Sequence, residues 1–404
     1  MQTPSKRYEI LDGLRGVAAI MVVIFHLSEA FSYDPVYKHL NHGYLCVDFF
    51  FVLSGFVVGY AYQQRMSEGR MSRWDFLRTR LIRLQPMIFL SLLLGCALFY
   101  FQECRYYAGI AHASVGYVCL NALLSFFMIP ITPEFNVRAN EEMMLLNIPQ
   151  WSMFFEYLAN LLFCLFVFRL GRRMLMCLVA LFAVMLADSA LTLNLFGMLT
   201  PHDYPLSLNA GWSFTPEHVY IGLSRVLYAF FGGLLAFRVL SHRSLSRTPS
   251  VASAPSASSS SCATSVSGTT CFLVASLLIV AVVCMEQIGG YEHPLYDGIF
   301  NLFCTFLLFP LLVVWCAGVA VRGSRLSAVC RFLGRLSYPL YLMHYPLVYL
   351  FFMWIDTHHD APFSVLAFTS VSVFLLSLLA AYAAMTLWDE PVRAWLSRRF
   401  SKKR

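Results

Sequence analysis

Hydrophobic residues occur along this chain in long runs separated by short polar segments. An α-helix of about 18–25 apolar residues, rising about 1.5 Å per residue, can cross a hydrocarbon core about 30 Å thick. Ten runs reach this length, at residues 12–31, 44–62, 84–102, 150–168, 174–193, 219–239, 270–288, 296–320, 337–355 and 363–388. The pattern therefore predicts an all-α polytopic membrane protein with about ten transmembrane helices.

An eleventh apolar run, at 115–131, is shorter, contains Asn121 and ends between two prolines. If this run does not cross and the N-terminus is cytoplasmic, 24 of the 29 Lys and Arg residues fall in cytoplasmic segments. If it did cross, every later basic loop would move outside, against the positive-inside rule. We therefore expect 103–149 to be one outer excursion that dips into the membrane. Both termini are expected to be cytoplasmic, in the cell's inner or plasma membrane.

Composition supports this fold class, because 59% of the residues are hydrophobic, 13% are charged, and the mean hydropathy is +0.65. A soluble protein carries about 25% charged residues. The net charge of +7 comes from short loops rather than from one basic face, which argues against nucleic acid as a partner. The twelve cysteines form no CxxC pair, and we interpret them as small core residues.

The segment 241–269 is rich in Ser and Ala and almost free of charge, so we predict a disordered cytoplasmic linker. It separates the first six helices, in residues 1–240, from the last four, in residues 270–392. A basic cytoplasmic tail follows at 393–404. No internal repeat is visible, which disfavours transporter folds built from repeated halves.

Ionisable residues at membrane depth are costly and are therefore candidates for function. Arg15 and His26 are eleven residues apart on the first helix, so they point in the same direction to within about 20° and lie about 16 Å apart along its axis. The pair could hold the two ends of an elongated ligand. The alternative is that Arg15 reaches the inner headgroups and His26 is a hydrogen-bonded core histidine.

His26, Asp48 and Glu156 are predicted to lie at one level, roughly 6–9 Å below the outer surface. An imidazole with carboxylates that fix its tautomer makes an acid–base centre. We expect Asp48 or Glu156 to orient the His26 ring, with Glu29 the less favoured helper. The alternative is a buried structural ion pair.

The inner side carries different chemistry, because Arg80 and Arg83 open the third predicted helix. Clustered guanidinium groups bind phosphates, although arginines at an inner helix end also serve as topology anchors. Ser54 precedes a glycine that permits close backbone approach, or that serves helix packing alone. His344 lies in mid-span after Tyr338, and a packed, hydrogen-bonded histidine is its alternative reading. We identify no metal site.

The chain resembles the membrane-bound acyltransferase-3 family, whose members O-acylate surface polysaccharides, lipid-linked glycans, peptidoglycan and some macrolides. Five motifs in order carry the resemblance over nearly the whole chain: LDGLRGVAAIMVVIFH, VDFFFVLSGFVVGY, the pair Arg80-x-x-Arg83, WSMFFEYLANL and LSYPLYLMHYPL. The resemblance implies roles for matching residues: the essential Arg15 and His26, the donor-side Arg80 and Arg83, and Glu156 in the motif that begins Trp151-Ser152.

The resemblance further implies acyl-CoA, most simply acetyl-CoA, as a cytoplasmic donor substrate rather than a bound cofactor. The expected acceptor is a hydroxyl of a carbohydrate or lipid-linked glycan. One rival is a glycan or lipid transporter whose embedded charges line a permeation path. A third possibility is a polytopic binding or sensor protein, in which the same residues would be structural.

Overall fold

The structure is a computed structural model that describes residues 8–31, 40–138, 141–200, 208–245, 267–321 and 323–400. These ranges form an all-α bundle without a β-strand. The helices of ten or more residues are α1 (Glu9–Ser28), α2 (Leu45–Ser67), α3 (Arg73–Leu98), α4 (Val115–Phe126), α5 (Gln150–Leu165), α6 (Arg172–Leu191), α7 (Pro216–Leu245), α8 (Gly268–Cys284), α9 (Pro294–Gly318), α10 (Ser324–Met343), α11 (Tyr345–Thr357) and α12 (Phe363–Phe400).

Seven of the described helices, α1, α2, α3, α6, α7, α9 and α12, are long and apolar enough to cross a membrane. The predicted fold class is confirmed, whereas the predicted number of about ten spans is not. α8 is apolar but holds only 17 residues, and α5 holds only 16. α4 has 12 residues and rises about 18 Å, which is too short to cross a core of about 30 Å as a helix.

Several helix boundaries differ from those predicted. α3 begins at Arg73 rather than near residue 84, because the side chain of Ser72 caps its N-terminus by accepting from the backbone N–H of Asp75. The predicted span 337–355 is interrupted at His344, between α10 and α11. The last helix continues beyond the predicted end at residue 388 to Phe400, through a π-helical segment at Ala384–Asp389.

The predicted linker 241–269 lies mostly outside the described residues. At its edges, α7 continues to Leu245, and α8 begins at Gly268 with Ser267 as its N-cap. Residues 246–266 are not described. In the predicted tail 393–404, the described part is helical and residues 401–404 are not described.

The helices that carry the candidate site lie at the centre of the bundle. In the most apolar windows of α2 and α7, 72% of the residues are buried, against 6% for α12. α2 and α7 touch backbone to backbone at Gly55, where a Cβ would lie 1.8 Å from the carbonyl oxygen of Phe230. α1 meets α10 equally closely at Gly16, where an added Cβ would lie 2.5 Å from the Cβ of Leu333. These glycines fix the spacing of the central helices.

The described cysteines are all free thiols. Cys164, Cys304 and Cys316 are buried, as expected of small core residues. Cys119, Cys177 and Cys284 are exposed on the surface of the bundle, which corrects the interpretation for these three.

Candidate active site

Arg15 and His26 both face the α10–α11 region. The Nε of Arg15 donates to the Oγ of Ser337 at 2.9 Å, and its Nη2 donates to the carbonyl oxygen of Gly334 at 2.6 Å. Near the other end of α1, the His26 ring stacks on the His344 ring, with 5.5 Å between centroids and 22° between planes. The common face predicted for Arg15 and His26 is therefore present, directed at one partner element.

Glu29 is the carboxylate that holds His26. The His26 Nδ1 lies 2.8 Å from the Glu29 Oε2, and the two side chains are 20% and 19% exposed. Because a carboxylate accepts, Nδ1 carries the hydrogen, and in the neutral ring the lone pair lies on Nε2. Glu29 reaches the ring because it follows His26 by three residues, at the end of α1. This contact corrects the expectation that Asp48 or Glu156 orients the ring.

Asp48 belongs to a buried ion pair with Arg225. The Arg225 Nε donates to Oδ1 at 3.1 Å and Nη2 donates to Oδ2 at 2.7 Å, with side chains 0% and 1% exposed for Arg225 and Asp48. Arg225 also donates to the carbonyl oxygens of Tyr44 and Ala210, and it lies 5.1 Å from the ring centroid of Trp151. Both oxygens of Asp48 are thus engaged by α7, so the structure gives this residue a structural place.

Glu156 is paired with Arg80 rather than with His26. Its Oε1 accepts from the Nη2 of Arg80 and from the hydroxyl of Ser54 at 2.8 Å. Arg80 lies seven residues into α3, about 10 Å from its start, so this pair is inside the bundle. The single catalytic level predicted for three ionisable groups is therefore not what the contacts show.

The three predicted donor-side arginines lie close together. Arg83 is within electrostatic range of Arg80, Arg15 and Glu156. Among the described residues, the side chains of Arg80 and Arg15 are held by protein acceptors, whereas the side chain of Arg83 makes neither a hydrogen bond nor a salt bridge. The result is a cluster of three guanidinium groups, in which Glu156 binds Arg80, Asp12 lies 3.5 Å from Arg15, and Asp389 is within electrostatic range of Arg83. The guanidinium group of Arg83, which no carboxylate binds directly, suits an anionic ligand.

Tyr338 helps to place these arginines. Pro86 lies inside α3 and supplies no N–H, so the helix is weakened just after Arg83. The hydroxyl of Tyr338 donates to the carbonyl oxygen of Leu84 at 2.8 Å, and the indole of Trp388 donates to that of Pro86 at 2.9 Å. α10 and α12 therefore stabilise this part of α3.

The His344 side chain is fully buried beside His26. Its Nδ1 lies 3.0 Å from the carbonyl oxygen of Leu340, so Nδ1 carries the hydrogen. The Nε2 of His344 is buried and has no partner within the described ranges. One turn earlier, the hydroxyl of Tyr341 lies 2.8 Å from that of Ser152, which ties α10 to the start of α5. The Nε2 of His344 is therefore a buried acceptor without a donor, and it lies in the ring that stacks on His26.

A polar cluster that the sequence analysis did not identify supports the His26 end. Arg138 is 2% exposed, lies 3.8 Å from the ring centroid of Tyr349, and donates to the carbonyl oxygen of Leu145 at 3.0 Å. The hydroxyl of Tyr349 donates to Glu142. The Tyr349 ring contacts that of Tyr345, which in turn packs edge-on against His26 at 4.9 Å. The excursion therefore reaches the site through aromatic contacts.

Two side chains, Asn147 of the excursion and Gln102 just before it, also hold the interruption between α10 and α11. The amide of Asn147 donates to the carbonyl oxygen of Leu342 at 2.8 Å, and that of Gln102 donates to the carbonyl oxygen of Pro346. Both carbonyls lie next to His344. The start of a new helix after His344 could have been predicted from Pro346, two residues later, because proline favours the first turn of a helix.

Comparison with known proteins shows the family of the chain. A family model described as an acyltransferase domain matches residues 8–382. A curated protein from Rhizobium radiobacter, "Protein 2 in picA locus", is 32% identical over 195 residues, which are 47% of this chain and 97% of that protein. No solved structure matches the chain. The chain is a membrane acyltransferase. It belongs to the acyltransferase-3 family, as its motifs predicted.

Proposed function

We propose that this acyltransferase moves an acetyl group from cytosolic acetyl-CoA to a hydroxyl of a carbohydrate or glycolipid. The observation that carries the proposal is that the two ends of α1 bear different groups. Arg15 lies among guanidinium groups, and His26, about 16 Å further along the helix, is bound to Glu29. With both termini in the cytoplasm of a cell whose inner or plasma membrane holds the bundle, the arginine end faces the cytosolic donor.

The donor side needs positive charge, because coenzyme A carries several phosphates. Arg15, Arg80 and Arg83 provide it, and Glu156 holds Arg80 in place through its carboxylate. Arg83, which has no hydrogen-bond acceptor in the described chain, is the guanidinium free to bind a phosphate directly. The pantetheine arm then extends along α1 from Arg15 toward His26.

His26 performs the chemistry in the proposal. As a general base, its Nε2 takes the proton of the acceptor hydroxyl while the oxygen attacks the thioester carbonyl. The carbon–sulfur bond then breaks, and the leaving thiolate takes the proton back from the imidazolium. As a nucleophile, Nε2 would instead hold the acetyl group before the hydroxyl attacks it. Glu29 fixes the tautomer and stabilises the imidazolium on either route.

The buried Nε2 of His344 gives the acceptor a second contact. An unsatisfied buried acceptor costs about 1–3 kcal/mol, and a hydroxyl hydrogen of the sugar would satisfy it. In this role His344 orients the acceptor while His26 exchanges the proton. Stacking keeps the two rings in register.

Replacing His344 with Phe is expected to raise the KM for the acceptor at least tenfold, because the ring remains but its acceptor nitrogen is lost. Steady-state rates at varied acceptor and fixed acetyl-CoA measure the effect. His344→Gln, whose side-chain oxygen can replace Nε2, is the matched variant and should recover part of the loss. An unchanged acceptor KM in His344→Phe would exclude this role.

The function itself is tested with purified protein, acetyl-CoA and hydroxyl acceptors that include dodecyl maltoside and oligosaccharides. We expect free CoA thiol to accumulate with a hydroxyl acceptor and O-acetylated product to appear by mass spectrometry. A detergent without hydroxyl groups is the blank. Absence of both products with every acceptor, combined with glycan flux in proteoliposomes, would favour the transporter. The pairing of Asp48, Glu156 and Arg138 within the bundle argues against charges that line a path.

A further inference from the structure

A cleft of about 840 Å³ adjoins the cluster of Arg15, Arg80 and Arg83 and shares Arg83 with it. Its walls come from the end of α2 and the turn after it, from the first half of α3, and from the last part of α12. Five arginines and two carboxylates line it: Arg65, Arg70, Arg78, Arg83, Arg393, Asp75 and Glu390. Clefts of roughly 300–1,000 Å³ are typical of small-molecule sites.

We propose that this cleft binds the nucleotide end of the donor, an adenosine that carries phosphates at its 3′ and 5′ positions. The proposal rests on the proposed function, since it is the thioester donor that brings such a nucleotide to the protein. It assigns the recognition of the donor to residues beyond Arg15, Arg80 and Arg83, and it makes the end of α12 part of the substrate site.

The carboxylates of the cleft are already engaged. Glu390 accepts two hydrogen bonds from Arg335, at 2.5 and 2.6 Å, and Asp75 accepts one from the Ser72 hydroxyl. Just outside the lining, Gln64 and Arg70 donate to Glu68 and lower the pKa of its carboxyl. Glu390 is therefore paired with an arginine outside the lining, and Arg70 and Arg393 are paired with Glu68 and Asp389. Arg65, Arg78 and Arg83 remain against the charge of Asp75, so the cleft keeps a positive surface for an anion.

Some of the arginines remain available. Across the described ranges, the side chain of Arg65 forms neither a hydrogen bond nor a salt bridge, and the same is true of the side chain of Arg83. Arg78 makes one long hydrogen bond of 3.3 Å, to the carbonyl oxygen of Phe400. Guanidinium groups on three sides of a cleft can contact phosphates at two positions of one ligand, each contact being charge-assisted.

The cleft also has an apolar part. Met71, Ile82 and Phe400 contribute to its lining, and the Phe400 ring is 49% exposed. A flat aromatic surface beside guanidinium groups can accept a purine by stacking while its phosphates are bound. This combination favours a nucleotide over the headgroup of an anionic lipid, which offers phosphate and no base.

Arg83 joins the cleft to the site inside the bundle. It lines the cleft and lies within electrostatic range of Arg15 and Arg80. A nucleotide held by Arg65 and Arg78 would thus place its pyrophosphate toward Arg83. The pantetheine arm would then start beside Arg15, on the helix that carries His26.

The test is calorimetric titration of adenosine 3′,5′-bisphosphate into the purified full-length protein. We expect Arg65→Ala and Arg78→Ala each to weaken binding at least tenfold, with the melting temperature unchanged. Arg172→Ala is the matched control, since Arg172 is an exposed arginine at the start of α6 outside the cleft. Wild-type affinity in both cleft variants would overturn the proposal. Phosphatidylglycerol in mixed micelles should fail to displace the nucleotide, and full displacement would assign the cleft to lipid headgroups.

The same titration separates this proposal from the proposed function, because it needs no turnover. If the nucleotide binds and both cleft variants weaken it, the cleft stands even when no acceptor is acetylated. If acetyl transfer occurs and neither variant changes the KM for acetyl-CoA, the cleft proposal fails while the function stands.

Discussion

Replacing His26 with Ala is expected to lower turnover by about 10²-fold or more, and further if the ring carries the acyl group. The thioester and the sugar hydroxyl would still meet, but no group would take the hydroxyl proton. Because the proposed phosphate site consists of Arg15, Arg80 and Arg83 and does not include His26, the affinity for acetyl-CoA should stay at its wild-type value. Initial rates of CoA release and calorimetric titration of the donor measure the two quantities separately.

Two variants make the His26 result specific. Glu29→Gln keeps a hydrogen-bonding side chain but removes its charge, so we expect a turnover between those of wild type and His26→Ala. His359→Ala changes a histidine whose side chain is 67% exposed, and it should leave the rate unaltered. A His26→Ala protein that transfers acetyl groups at a near-normal rate would exclude this mechanism.

Replacing Asp48 with Ala is expected to lower the free energy of unfolding by about 3–5 kcal/mol, because the buried Arg225 would lose its counter-charge. The Asp48→Leu/Arg225→Met double variant should recover part of this loss, since no unpaired charge remains. Recovery will be incomplete, because Arg225 also donates to the carbonyl oxygens of Tyr44 and Ala210. Denaturant unfolding in detergent, followed by tryptophan fluorescence, measures the effect.

Asp360→Ala is the control for Asp48, since the side chain of Asp360 is 94% exposed, and we expect a change within about 0.5 kcal/mol. A catalytic role for Asp48 predicts a different result. If Asp48→Ala unfolds at the wild-type denaturant concentration but loses turnover as His26→Ala does, the residue acts in the chemistry.

The sequence predicted the fold class and the motif residues because hydropathy and motif spacing depend on short stretches of chain. The face shared by Arg15 and His26 followed from helical periodicity within α1. The start of α3 was missed because charged residues near Arg73 hide the helix from a hydropathy window. The Ser72 cap and Asp75 three residues later were the available signal.

Pairings between helices could not be predicted, because depth along a span says nothing about its rotation. Asp48 and His26 were placed at one level, yet α2 turns Asp48 toward Arg225 of α7. Glu156 was assigned by depth in the same way, and α5 turns it toward Arg80. Glu29 was the local candidate and received less weight than the distant carboxylates, although its spacing of three residues makes contact simple.

The close packing of α1 on α10 has a consequence for how the enzyme is built. α1 lies before residues 246–266 in the chain and α10 lies after them, yet Arg15 is held by Ser337 and His26 stacks on His344. Neither half of the polypeptide therefore contains all the residues of the candidate active site. Two separately translated fragments divided within 246–266 would each be inert, and only their mutual recognition along the glycine contacts of α1 and α10 would create an active enzyme.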